Sequence, residues 1–144
     1  MIVAVGAVLE GYASDCTRTF ATGELPAELR EAYELCRGAQ AAALAAVRAG
    51  ASARDVDAVA RGRITAAGHQ VAHGLGHGVG LVVHEAPRLS DTSDETVEAG
   101  AVVTIEPGVY VAGRGGVRIE DLVVVTDAGP EVRTTFTKDL VVLG

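Results

Sequence analysis

Two glutamates constrain this chain more than any other feature. Glu106 ends the apolar run AVVTI, and Glu120 stands one aspartate before LVVV, so both carboxylates lie in stretches that read as core strands. A buried carboxylate without a partner is costly, so the fold must supply one. The Gly-Arg-Gly-Gly run from Gly113 to Gly116 provides permissive backbone for a turn, and a hairpin centred near Gly113 sets position 106 opposite position 120. Two partners fit. One is a salt bridge to Arg118 or Arg114, of which Arg118 shares the parity of Glu120. The other is a metal pair, because oxygen-rich ligation with one imidazole suits Mn2+, Co2+, Fe2+ or Zn2+, and a bridging carboxylate can hold two ions around one water. Asp15, His77, Glu106 and Glu120 form that candidate set, and spacing alone leaves both partners open.

The remaining text predicts an α+β chain in the order β-β-α-α-β-β-β-β. Residues 2 to 8 and 12 to 20 are β-rich, and a turn at Leu9 and Glu10 places position 4 opposite position 15 on one sheet face. From Pro26 to Val47 the apolar residues Leu29, Ala32, Tyr33, Cys36, Ala39, Ala43, Leu44 and Val47 follow a helical stripe, interrupted only by Gln40 and stopped by Gly50. Ser52 caps a second helix, with Asp55 completing an imperfect capping box, Val56, Val59 and Ile64 facing inward, and Gly68 ending it. Both helices read as Ala-rich covers for a sheet. The run HGLGHGVGLVVHEAP from His73 is too glycine-rich for a helix and predicts a loop leading into a strand from Gly80 to His84. Residues 88 to 99 read as a polar surface connection, 101 to 106 and 117 to 126 as strands, and Glu131 to Leu140 as a last strand.

Composition narrows the function classes. With 144 residues the chain is the size of one domain, expected over 1–144; it is 49% hydrophobic but only 3% aromatic, so aliphatic side chains must fill the core. A net charge of -7 with 12 scattered basic residues excludes a nucleic-acid surface. Cys16 and Cys36 have no CxxC spacing, which gives neither a disulfide framework nor a thiolate zinc site and favours a reducing, cytoplasmic setting. The opening MIVAVGAVL lacks a basic leader and ends at Glu10, too short for a membrane span. A chain that begins inside a buried strand is expected to be part of something larger.

Four segments in order carry a resemblance: GYASDCTRTF from Gly11, GHGVGLVVHEAP from Gly76, TIEPGVY from Thr104 and GVRIED from Gly116. They resemble the successive motifs of the pita-bread metallopeptidases that include Xaa-Pro aminopeptidase and prolidase, with methionine aminopeptidase and creatinase as more distant relatives. The resemblance implies two pseudo-symmetric halves around a metal centre on a curved sheet. It implies that Asp15 and Glu120 bridge the metals, that His77 is the single imidazole ligand, and that Glu106 is a ligand that also serves the nucleophilic water. His84 matches a histidine that binds substrate and steadies the tetrahedral intermediate, and His73 matches one lining the leaving-group side; Arg118 is assigned to substrate with them. The implied cofactor is a divalent metal, Mn2+ or Co2+ first and Zn2+ or Fe2+ next. The implied substrate is a small peptide cleaved beside proline.

Two departures accompany the match. The family motif begins with an aspartate eleven residues before the one matching Asp15, and here that position is Ala4, which offers no ligand and weakens a second ion. Family members also carry further catalytic-domain residues before this point, so the fold is expected to be an incomplete pita-bread, lacking much of the N-terminal half. The exposed sheet this leaves predicts a homo-oligomer or a complementing N-terminal partner. Alternative functions are a catalytically inactive pita-bread domain used for binding or assembly, and a metal-independent creatinase-like hydrolase.

Overall fold

A computed structural model describes residues 1–144. The first element is a long hairpin: β1 (Ile2–Val5), β2 (Val8–Leu9), β3 (Tyr12–Ala13) and β4 (Cys16–Ala21). Its turn is Glu10–Gly11, with φ of 51° and 91°. Two successive positive φ values define the turn whose twist matches a hairpin, and glycine makes the second one easy. The pairing is therefore Val8↔Ala13 and Ala4↔Thr17. The expected turn at Leu9 and Glu10, with position 4 opposite position 15, is displaced by one residue along the chain, which moves each partner by two and preserves the face.

Helix α1 (Ala27–Ala46) starts behind Pro26, whose fixed φ suits a helix entrance. The short β5 (Ala51–Ser52) leads into α2 (Ala53–Ala66), where the Ser52 hydroxyl accepts the Asp55 amide at 3.3 Å, the expected cap. Gly68, at φ 86°, ends the helix as the spacing predicts. The inner stripe of α2 is Val56, Ala60 and Ile64, four residues apart, with Asp57 also buried; Val59, expected inside, lies beside that stripe and is 37% exposed. Gln40 does not interrupt the α1 stripe either. It is fully buried, donates to Asp121 at 2.8 Å and accepts from Lys138 at 3.2 Å, so its amide is satisfied inside the fold.

The second half is β6 (Gly76–Gly78), β7 (Glu85–Leu89), β8 (Thr96–Val97), β9 (Val102–Ile105), β10 (Gly108–Val111), β11 (Gly115–Arg118), β12 (Asp121–Thr126), β13 (Gly129–Val132) and β14 (Val141–Val142). The larger sheet runs β13-β12-β9-β6-β7, and a smaller one runs β1-β4-β14. A bridge between Thr17 and Glu120 joins them. The expected strand from Gly80 to His84 is absent; the glycine-rich run itself is the strand. A Cβ at Gly76 would land on the Thr104 carbonyl, and one at Gly78 on the Ala86 carbonyl, so only glycine lets these backbones pair. Leu81 and Val82, the apolar residues that drew the prediction, are exposed. Residues 88 to 99 are not simply a connection, since β7 runs to Leu89 and β8 pairs with β5. The last strand predicted over Glu131 to Leu140 is broken: β13 closes a hairpin on β12, the chain is then irregular, and β14 joins β4 in parallel.

The helices cover one face of these sheets. Twenty buried residues form the core, among them Ala32, Tyr33, Cys36, Ala39, Ala43, Val56, Ile64, Val103, Ile105 and Ile119. Small side chains on α1 let its axis approach β10 and β11 closely, and Cys36 donates to the Pro107 carbonyl at 3.1 Å. Tyr33 is the one aromatic residue in this core, as the composition requires. No helix is long and apolar enough to cross a membrane.

Candidate metal centre

The registers place the candidate ligands on a single face. Ile105 pairs with Asp121 and Gly108 with Arg118, so Glu106 lies opposite Glu120, as the hairpin centred near Gly113 predicts. Gly78 pairs with Val103, and the Glu106 amide donates to Leu75 O at 2.7 Å, which puts His77 opposite Thr104. Thr17 bridges Glu120. Directly opposed residues, and those two apart, share a sheet face. His77, Thr104, Glu106, Glu120, Thr17 and Asp15 therefore project from the uncovered face, away from α1 and α2.

His77 is the hub. Its Nδ1–H donates to the Gly78 carbonyl at 3.0 Å, which turns Nε2 toward the carboxylates. Nε2 lies 3.0 Å from Glu106 Oε1 and 3.9 Å from Asp15 Oδ2. His77, Glu106 and Glu120 offer atoms within 4.8 Å of one another, and so do Asp15, His77 and His84. Burial works to lower the His77 pKa, but the hydrogen bonds that His77 donates to Glu106 and to the Gly78 carbonyl, with the nearby negative charges, outweigh it and raise the value. Burial likewise works to raise Glu106, and its hydrogen bonds to His77 and Thr104 hold it below the usual carboxylate range. Glu120 is pushed up to about 7, by burial first and the Glu106 charge second. Its Oε2 accepts the Thr17 hydroxyl, while Oε1 is buried with no partner. The salt-bridge alternative leaves this atom unsatisfied: Arg118 reaches Glu106 only at 4.0 Å, and Arg114 pairs with Glu28 at 3.7 Å. A buried oxygen without a donor, converging with an imidazole nitrogen and a second carboxylate, is a donor set that fits a divalent cation.

Supporting residues went unread in the sequence. Thr104 accepts the His77 amide at 3.0 Å and donates to Glu106 Oε1 at 3.0 Å. Asp57 accepts the Leu75 amide at 3.0 Å while Arg61 neutralises it at 2.6 Å, so α2 fixes the strand that carries His77. On the helix side Arg18 donates to the Glu120 carbonyl at 2.5 Å and pairs with Asp121 at 2.7 Å, and Lys138 and Gln40 complete the shell of Asp121. Asp57 and Arg18 stood within helical or strand patterns, where a polar residue reads as solvent-facing. Only long-range pairing turns them inward.

The other predicted residues surround the centre. His84 is exposed, with its ring 4.3 Å from that of His77. His73 lies outside both donor groups; its Nδ1–H donates to Gly74 O at 2.8 Å, so Nε2 accepts the Tyr110 hydroxyl at 2.8 Å. Tyr110 itself lies across Gly108 and Gly116, where any Cβ would strike its ring. Arg118 donates from Nε to Thr17 Oγ1 at 3.3 Å. A cleft of about 520 Å³ runs from His77 and Glu106 past His73 and Arg118 to Arg88 and Thr92, with Leu89 its only apolar wall. Arg88 was not singled out from the sequence, having no motif partner there.

Known proteins are similar to this chain in sequence and fold. The profile of metallopeptidase family M24 matches residues 1–127. An Xaa-Pro dipeptidase of Lactobacillus delbrueckii subsp. lactis is 46% identical over 141 residues, covering 96% of this chain and 38% of its own length. The Xaa-Pro dipeptidase structure from Bacillus anthracis superposes with a TM-score of 0.96 at 44% identity, over 99% of this chain and 41% of that one. The prolidase structure from Pyrococcus horikoshii OT3 gives 0.94 at 39% identity, over 97% and 41%. The chain thus spans about two fifths of the length of these relatives, and over that span it has their pita-bread fold, incomplete relative to their full chains. From its first strand through β12 and beyond, this chain belongs to metallopeptidase family M24.

Proposed function

We propose that this protein hydrolyses peptide bonds next to proline in short peptides, using a divalent cation held by Asp15, His77, Glu106 and Glu120, with Mn2+ or Co2+ the preferred ions. The observation that carries the reading is the orphaned Glu120 Oε1, buried beside His77 Nε2 and Glu106. Such a cation, when bound, polarises the scissile carbonyl and lowers the pKa of water. Glu106 takes the proton from the attacking water and delivers it to the leaving nitrogen. His84, on the rim beside His77, donates to the oxygen that gains charge. His73, held by Gly74 and Tyr110, lines the leaving-group side, and Arg118 with Arg88 gives that side a cationic wall suited to the carboxylate of a short peptide. The activity is placed in the cytoplasm, where the free thiols of Cys16 and Cys36 are stable, and in an oligomer or complex that covers the apolar hairpin of Val8, Leu9 and Tyr12.

Ala4 favours one second reading, a metal-poor or inactive domain that binds rather than cleaves. Metal quantification beside Xaa-Pro dipeptide assays separates the two. Purified protein should hold Mn2+ and cleave the dipeptide, and Glu106→Gln should lower turnover by two or more orders of magnitude, roughly the size of a lost general base. Turnover that survives exhaustive chelation would point to the creatinase-like, metal-independent alternative. Unchanged metal content and turnover in Glu106→Gln would defeat the peptidase reading.

A further inference from the structure

The two donor groups around the centre, His77 with Glu106 and Glu120, and Asp15 with His77 and His84, share one imidazole. Its Nδ1 is committed to the Gly78 carbonyl, so a single nitrogen, Nε2, is available to both. Without it neither group keeps three donors. A second ion would need ligands from another strand, and β1 is the strand alongside. Its residue opposite Thr17 is Ala4, and the next on that face is Gly6, which follows in the same register toward Asp15. A methyl and a hydrogen offer nothing to a cation.

That side of the site already holds a positive charge. Thr17, the partner of Ala4, contacts Glu120 through its hydroxyl and accepts from Arg118 Nε at 3.3 Å, and the same nitrogen lies 4.0 Å from Glu106 Oε2. The guanidinium stands beside Thr17 and Glu106 and adds its charge to that side of the site. Building on the metal reading proposed above, we infer that this centre binds one divalent ion, on His77 Nε2 with Glu106 and Glu120 and with Asp15 3.9 Å from the same nitrogen, and that Arg118 supplies the remaining positive charge on the Ala4 side.

Titrating the chelator-treated full chain with Mn2+ by calorimetry, with the electron paramagnetic resonance spectrum recorded alongside, tests the count without using activity. Wild type should bind one Mn2+ per chain and show the six-line signal of an isolated ion. Ala4→Asp should gain a second Mn2+ and the exchange-coupled signal of a pair. Arg118→Gln should tighten the first ion about tenfold or more, because a like charge has been removed. Two ions or a coupled spectrum in wild type overturn the inference while leaving the metal reading intact. A single ion in folded Ala4→Asp overturns the role given to position 4, and unchanged or weaker binding in Arg118→Gln overturns the role given to the guanidinium. No Mn2+ bound to wild type overturns the metal reading and this inference with it. Circular dichroism checks that each variant folds, and the wild-type count decides the main point if Ala4→Asp does not.

Discussion

Replacing Glu120 with glutamine should stabilise the metal-free protein and destabilise the metal-loaded one. Glu120 is 1% exposed, with one oxygen on Thr17 and the other unpartnered. Its pKa moves from 4.5 to about 7, with burial the larger cause. That displacement corresponds to ~3 kcal/mol between the protonated and ionised forms. The folded protein holds this proton more tightly than the unfolded chain. Glu120 therefore costs nothing below pH 4.5, and its ionisation erodes stability as the pH climbs to 7 and above. Glutamine keeps the size and the Thr17 hydrogen bond but never ionises. In chelator, urea denaturation should find Glu120→Gln more stable than wild type by about 2–3 kcal/mol at pH 8 and nearly equal to it at pH 4.5. With saturating Mn2+ the order should reverse, because a ligand that stabilises only the folded state is lost. An advantage of equal size at both pH values would show that the buried charge is not its source, and no advantage at pH 8 would refute the reasoning.

Other perturbations probe the scaffold. Gly76→Ala drives a methyl into the Thr104 carbonyl and should cost 3 kcal/mol or more, roughly the upper range for a point change, with His77 displaced and Mn2+ binding lost together. Asp57→Ala strips the Leu75 amide of its acceptor and leaves Arg61 without its buried partner; a loss of about 3 kcal/mol in denaturant melts is expected, with weaker metal affinity than a surface control such as Asp127→Ala. Thiol reagents at pH 8 should modify Cys16 and spare Cys36 until the protein unfolds, since Cys36 is fully buried with its thiol pushed up to about 12; mass spectrometry of the labelled chain reads this directly.

The site was legible in the sequence because its chemistry is carried by residues out of place in their surroundings. Glu106 and Glu120 interrupt apolar strands, and the glycines between them fix the register by turn geometry alone. The helices were legible through period and caps, from Pro26 to the Ser52–Asp55 contact. What failed depended on backbone approach. Gly80–His84 looks like a strand by residue type, yet the ladder needs the glycines before it, because strand pairing there leaves no room for Cβ atoms. The hairpin register slipped because Glu10 adopts a positive φ that a glutamate seldom takes, so the turn could not be centred from composition. Asp57, Gln40 and Arg18 were missed for one shared reason: each is polar, and each is buried only because a partner 18 to 103 residues away meets it.

The bridge between Thr17 and Glu120 also has a consequence for the order of folding. His77, Glu106 and Glu120 arise within one antiparallel region, β6 to β12, whose contacts are short in sequence. Asp15 reaches them only when β4 closes a contact spanning 103 residues. Contacts of that span form late, since the chain entropy lost in closing them comes before their reward. An ion captured early by the first three ligands would therefore await the fourth, drawing the N-terminal hairpin onto the sheet. Refolding in Mn2+ should then be faster than refolding in chelator, and the gain should vanish in Asp15→Ala.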